Sequence, residues 1–358
     1  MKLENSENQI QGVLNGCFSD VPAIQGWEIL PQPAARTGAT EPSAVAEVRL
    51  QDRSFRLIIV MKSIGQPRQA REAAAQLLNL SSQAIRSYPL FIAPYISSDA
   101  AKLCRESGVG YADLAGNCCI AFEGVYILRE GRPNPFFSRR KIISLYQPAA
   151  SRILRVLLVN PRKSWKVLAL AAEARVSVGT VSNVGNALLN QEWIEKESDG
   201  ILLKNPKALL DDWSNNYTFR KNLVYDFYSI ESTEKIEANI AKALGERKKN
   251  EQGAPLYALT AFSAAARWSP SVRTNRVFVY VSGDIEALAE KLGFKAVPSG
   301  ANVTLLSPYD DGVFYGSEIK DGLRIVSPIQ AYLDLIGFRG RGEEAAGHLL
   351  KNVIEKRW

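Results

Sequence analysis

Residues 150–204 are the stretch that most restricts what this chain can become. In the run AASRILRVLLVN, Ile153, Leu154, Leu157 and Leu158 share one helical stripe, with Arg152 and Arg155 off it. Asn160-Pro161 ends that pattern, because proline disfavours helical geometry in the residue before it. KSWKVLALAAEARVS follows, with Val167, Leu168 and Ala171 at helical spacing. A short turn at Val176-Ser177 leads into a third helical pattern, whose expected buried face is Val181, Val184 and Leu188, extending to Leu189, and whose cap is Ser177. EWIEKESDGILLKNP then alternates and turns at Ser198-Asp199-Gly200, the signature of a hairpin between Trp193-Ile194 and Ile201-Leu203.

Three helices followed by a small ribbon is the order of a winged helix-turn-helix, expected over residues 148–213. Its third helix presents Ser177, Thr180, Ser182, Asn183 and Asn186, short polar groups that fit a major groove ~12 Å wide. Arg152, Arg155, Arg162 and Lys163 are the expected phosphate contacts, and Lys196 and Lys204 on the ribbon are placed to reach backbone beside the groove. The reading face has no Arg, Lys or Gln for bidentate base contacts, so sequence preference is expected to come partly from DNA shape. Glu195, Glu197 and Asp199 on the ribbon would repel phosphate if they faced it. Winged helices also serve as protein–protein modules, which stays open beside the favoured partner, double-stranded DNA.

Charge supports that partner locally. The 358 residues carry a formal net charge of +7, spread nearly evenly. Between Arg129 and Lys163, however, nine basic residues stand against one acid, Glu130. Composition excludes several chemistries. One histidine, His348, and four cysteines without a C-x-x-C pair leave no parts for a histidine triad, a multi-histidine metal site or a cysteine zinc finger. No cofactor is expected. Cys17, Cys104, Cys118 and Cys119 read as reduced, buried thiols. No apolar run approaches the ~20 residues of a membrane span, and the polar start MKLENSENQ predicts no signal peptide. A cytoplasmic protein without a membrane partner is expected.

Residues 1–147 read as an α/β domain. AVAEVRL and SFRLIIVMKS pair across Gln51-Asp52-Arg53, and Leu57–Met61 is apolar enough for burial on both faces. PRQAREAAAQLLNL (helix), PLFIAPYI (strand), SSDAAKLCRES (helix) and VGYADLAGNCCIAF (strand region) follow. This order, from Val45 to Val125, resembles the core of the PD-(D/E)xK (restriction-endonuclease-like) nuclease superfamily. That chemistry needs acid-x-Lys beside a further acid to hold a divalent metal. Here the corresponding residues are Val60-Met61-Lys62, with Asp52 the one nearby carboxylate, so the domain is expected to be degenerate and to hold no metal. Asp113 and Asn117 read as a turn rather than a residual pocket, given Gly116.

Residues 214–358 read as a second α/β domain. NLVYDFYSI is a strand, STEKIEANIAKALGERKKN a helix, YALTAFSAAARWSP a helix, and RVFVYVS, Asp284–Leu292 and ANVTLLSP are strand, helix and strand. GVFYGSEI and LRIVS pair across Asp321-Gly322, Ser327-Pro328 opens a helix, and a final helix runs from Glu343 to Arg357. Asp310-Asp311 reads as an exposed loop. Asp334 with Gly340-Arg341-Gly342 reads as a helix–helix connection.

The motifs YALTAFSAAARWSP, ANVTLLSP and above all VSPIQAYLDLIGFRGRGEEAAGHLL (Val326–Leu350) resemble the C-terminal domain of AbiEi-type antitoxins of type IV toxin–antitoxin systems. With the winged helix, the resemblance covers roughly 148–358. It implies a winged helix that binds the operon's own promoter and a C-terminal domain linked to neutralising a nucleotidyltransferase-like toxin. The simplest antitoxins begin with their winged helix, whereas here a nuclease-like domain precedes it. The expected whole is an α/β and α+β multidomain protein that binds rather than turns over: a non-enzymatic DNA-binding regulator of antitoxin type. A metal-dependent nuclease using Asp52 and Lys62, or a scaffold neutralising a toxin without DNA, are the alternatives.

Overall fold

The computed structural model describes residues 2–31, 41–51, 53–136, 145–198, 200–245, 257–269 and 275–358. The chain divides into two compact units, residues 1–139 with 189–192, and residues 140–188 with 193–358.

The first unit is a seven-stranded sheet in sequential order, β1 to β7. Helix α1 (Lys2–Phe18) precedes β1 (Gly26–Leu30), β2 (Ala44–Arg49) and β3 (Ser54–Met61), which pair antiparallel. Helices α2 (Pro67–Ser81) and α3 (Ser98–Glu106) then make the crossovers to β4 (Ser87–Ala93) and β5 (Gly110–Asp113), both parallel. Strands β6 (Cys118–Phe122) and β7 (Val125–Arg129) close the sheet antiparallel. The two faces have separate cores, as alternation along each strand requires. Ile10, Val13, Leu14 and Cys17 of α1 pack on Leu57, Ile59, Leu90, Ile92 and Ile120. Ala70, Ala73 and Leu77 of α2 and Ala100 and Cys104 of α3 pack on Ile58, Val60, Phe91 and Tyr111. Neither α1 nor β1 has a strong periodic signal in the sequence, and the strand region from Val109 is two strands and a turn. Asp113 and Asn117 build that turn. The carboxylate accepts from the Ile96, Asn117 backbone N–H groups and the Asn117 amide (3.2, 2.9 and 3.0 Å).

The second unit begins with α4 (Pro148–Val159), α5 (Val167–Ala174) and α6 (Val178–Asn190), then the hairpin β8 (Ile194–Glu197) and β9 (Gly200–Leu203), then α7 (Pro206–Asn216). It continues into a seven-stranded mixed sheet of order β13-β10-β14-β12-β11-β16-β15. Its strands are β10 (Leu223–Tyr228), β11 (Tyr257–Leu259), β12 (Val277–Val281), β13 (Lys295–Ala296), β14 (Val303–Ser307), β15 (Glu318–Lys320) and β16 (Leu323–Ile325). Its helices are α8 (Thr233–Gly245), α9 (Ala261–Trp268), α10 (Ile285–Lys291), α11 (Pro328–Ile336) and α12 (Arg341–Leu349). Every residue of β11 and β12 is buried, so both sheet faces are covered. The run expected to be one helix from Tyr257 starts instead as β11, because Tyr257–Leu259 pairs with β12 and β16 before Ala261 turns the chain at φ +44°. The start of GVFYGSEI is a 3-10 turn (Asp311–Phe314), leaving Glu318–Lys320 to pair across Asp321-Gly322. Helices α11 and α12 approach closely through Gly342, where a Cβ would lie 2.4 Å from the Leu335 carbonyl oxygen. Ser327 caps α11 by accepting the Gln330 N–H at 3.2 Å. Among the described residues, no single helix is long and apolar enough to cross a membrane.

Candidate nucleic-acid interface

Helices α5 and α6 meet at 108°, joined by Arg175, Val176 and Ser177. Arg175 takes the left-handed conformation (φ 52°) that stops α5. Ser177 accepts the Thr180 N–H at 3.1 Å and starts α6. Val181, Val184 and Leu188 are buried, which leaves Ser182, Asn183 and Asn186 exposed with Ser177 at the outer end and Thr180 half-buried. On α5 the buried residues are Leu170, Ala171 and Ala174, while Leu168, at helical spacing with Ala171 in the sequence, is 73 % exposed.

The hairpin is pinned to the segment before α5. Trp165 and Ile201 exchange both backbone hydrogen bonds (2.9 and 2.8 Å), a one-residue bridge too short to leave a pattern in the sequence. Gly200 (φ +140°) lies so near that a Cβ would sit 2.4 Å from the Trp165 carbonyl oxygen. Gly200→Ala is therefore expected to cost about 2–3 kcal/mol, from backbone strain and a clash that nothing flexible relieves. A urea melt of the purified variant measures it. Lys196 donates to the Asn186 amide oxygen at 2.8 Å, tying the hairpin to the exposed face of α6. Lys204 pairs with Glu195 at 3.0 Å. Both lysines are exposed.

The arginines expected on phosphate separate into two classes. Arg162 and Lys163 are exposed; Arg162 donates to the Trp358 carbonyl oxygen at 2.7 Å and the Lys163 ammonium lies 3.6 Å from the Trp165 ring centroid. Arg155 is 0 % exposed. Its guanidinium donates to Gln330 Oε1 (3.0 and 2.7 Å) and to Ser151 Oγ (2.9 Å), and lies 4.9 Å from the Trp213 ring centroid. Burial works against its charge, but Tyr309, Tyr217 and Asp310 outweigh that and hold it protonated. A guanidinium so enclosed has no face for a phosphate, which corrects its assignment. Arg152 is also diverted: it makes a bidentate pair with Asp310 (3.0, 2.9 and 2.6 Å), and that bond raises its pKa. Asp310 is itself buried, so the segment read as an exposed loop is instead an anchor for α4.

Behind Arg155 the polar chain continues. Gln330 Nε2 donates to Tyr217 and to Asp334 (both 3.0 Å), and Asp334 also accepts from Tyr217 (2.6 Å), Tyr280 (3.0 Å) and Thr260. Burial raises the Asp334 pKa, and these donors offset part of the rise. One network thus joins α4, α7, α11, β12 and the start of α9, and it replaces the helix–helix role read for Asp334. The sequence hid it because each member, taken singly, looks like an ordinary surface residue.

In the first unit, Lys62 is half-buried at the end of β3, and Val60 is buried beside it. Asp52 lies outside the described residues, as do Asp199 and the basic residues Arg139, Arg140 and Lys141. Among the described residues, no three His, Cys, Asp or Glu side chains converge as metal ligands.

Residues 202–355 match the family model described as "Transcriptional regulator, AbiEi antitoxin, Type IV TA system". The match runs from β9 past α12 and so lies within the second unit. No curated protein matches the chain, and no solved structure does. Over that stretch, less than half of the chain, the protein is similar to AbiEi-type antitoxins, a family described as transcriptional regulators.

Proposed function

We propose that this protein is a DNA-binding transcriptional regulator of antitoxin type that represses its own operon through a winged helix-turn-helix at residues 148–213. The observation that carries the reading is the exposed row of Ser177, Ser182, Asn183 and Asn186 on α6, with Thr180 beside it, held at 108° to α5 and flanked by a hairpin. An angle of about 90–120° over a short turn is the helix-turn-helix geometry. Short side chains let the α6 backbone approach base edges, and the exposed Arg162, Lys163, Lys196 and Lys204 supply cations on either side. Arg152 and Arg155 serve instead to fix α4 to the rest of the second unit. The family match supports regulation, and a nucleotidyltransferase-like toxin is the proposed protein partner. For the first unit we propose a degenerate nuclease-like fold, supported by the α1-β1-β2-β3-α2-β4 order with Lys62 directly after β3.

Fluorescence anisotropy on the DNA upstream of its own gene, titrated over salt, tests this. Four phosphate contacts predict a log–log salt slope of about −3 to −4, and replacing Arg162 or Lys163 by alanine should each remove about 0.9 from it. Affinity should fall roughly equally on all sequences, whereas Asn183→Ala should flatten the preference among them. Absence of binding, or a slope unmoved by these changes, overturns the reading.

A further inference from the structure

The first unit carries an open edge that the regulatory reading does not use. Strand β1 pairs only with β2, so among the described residues its other edge is unpaired. In an antiparallel strand every second residue aims both its N–H and its C=O at that edge, which makes it a template for another strand. A groove of about 700 Å³ runs along it, lined by Glu7, Asn8, Gln11 and Asn15 of α1 and by Gly26–Pro31. The α1 groups are exposed.

The two faces of β1 differ. Trp27 and Ile29 pack on the core beneath α1. Glu28 points to the opposite face, where its register partner on β2 is Glu47. Like charges directly opposite are destabilising. Glu47 has Arg56 as its partner on β3, an opposite charge in register. Among the described residues no strand lies beyond Glu28, because the next ladder position is at the open edge. Arg49, opposite Gly26, is the cation at one end of the strand. The ladder Arg56, Glu47, Glu28 is thus one cation short of being flanked on both sides.

We propose that the β1 edge is a docking site for an extended protein segment of apolar–basic–apolar pattern, added as an eighth strand. A lysine or arginine would sit opposite Glu28, with apolar residues opposite Trp27 and Ile29 beneath the amide side chains of α1. Two carboxylates, Glu7 in the groove and Glu28 on the other face of the strand, make nucleic acid an unsuitable occupant of the same edge. Five residues match the length of β1 and span about 17 Å.

The probe is a labelled, end-blocked Thr-Val-Lys-Val-Thr peptide, titrated with the full chain and followed by fluorescence anisotropy. Saturable binding is expected. The peptide with glutamate in place of lysine should bind at least tenfold more weakly, as should one N-methylated on the amides that face β1. In Glu28→Lys the preference should invert, and in Glu28→Gln it should vanish without inverting. Glu28 is exposed, and an unchanged circular dichroism spectrum checks the fold of each variant. The proposal is overturned if the lysine peptide does not bind, if the N-methylated peptide binds equally well, or if Glu28→Lys leaves the preference unchanged. None of these outcomes bears on DNA binding by the second unit.

Discussion

Arg155→Ala is expected to destabilise the second unit by about 3–5 kcal/mol, the range for removing one member of a buried charged network. The guanidinium is fully enclosed, and its loss leaves Gln330 Oε1 and Ser151 Oγ without their donor and opens a cavity beside Trp213. Lysine should not restore it, since a single ammonium cannot reproduce two donors aimed at Gln330 while stacking on an indole. Urea unfolding followed by circular dichroism measures the loss. Arg162→Ala is the informative contrast. That side chain is exposed, so its stability change should stay within about 0.5 kcal/mol while DNA affinity falls. Full stability with loss of DNA binding alone in Arg155→Ala would instead contradict a structural role for this guanidinium.

Asp334→Ala should cost at least about 3 kcal/mol, because buried donors left without an acceptor cost roughly 1–3 kcal/mol each and do not add fully. Tyr217, Tyr280, Gln330 and Thr260 all donate to this carboxylate. Burial, and after it the Asp334 charge, pushes the hydroxyl pKa of both tyrosines well above its ordinary value, so both remain donors. The same carboxylate predicts a pH dependence. Burial raises its folded pKa above 3.8, so in the window between those values the folded state holds a proton that the unfolded state has lost. Its contribution to stability is complete below 3.8 and declines as pH rises through the folded pKa. Asp334→Asn cannot titrate, so the stability of the wild type relative to this variant should fall with rising pH across that window. A difference that stays flat, or rises, would contradict the buried carboxylate as described.

Element order was largely readable from periodicity. The Asn160-Pro161 stop, the Ser177 cap and the Ser327-Pro328 start lie where local chemistry places them, because each acts within one turn of chain. Two kinds of feature were not readable. The first is a helix enclosed on more than one side. The α4 pattern declares the stripe Ile153, Leu154, Leu157 and Leu158, and two arginines off that stripe read as solvent-facing. Contacts from Asp310 and Gln330, each more than 150 residues further along the chain, are what enclose them. The second is structure with little apolar signal. Helix α1 carries Asn and Gln along its outer face, and β1 follows without a strong alternation, so neither announces itself. Leu168 shows the converse limit, since an apolar residue at helical spacing with Ala171 is exposed while Leu170 packs in the core.

The burial of α4 also says how this chain can be cut. A fragment of residues 148–213 holds α4, α5, α6 and the hairpin, yet it would expose the Arg155 guanidinium and strip Asp310 from Arg152. Asp212, which accepts from Tyr146, would lose its donor as well. As an excised cassette the segment is incomplete, and the smallest self-sufficient piece carrying it starts before Tyr146 and runs on through Gln330 and Asp334. Chimeras that exchange this three-helix segment between proteins must therefore carry the C-terminal sheet with it.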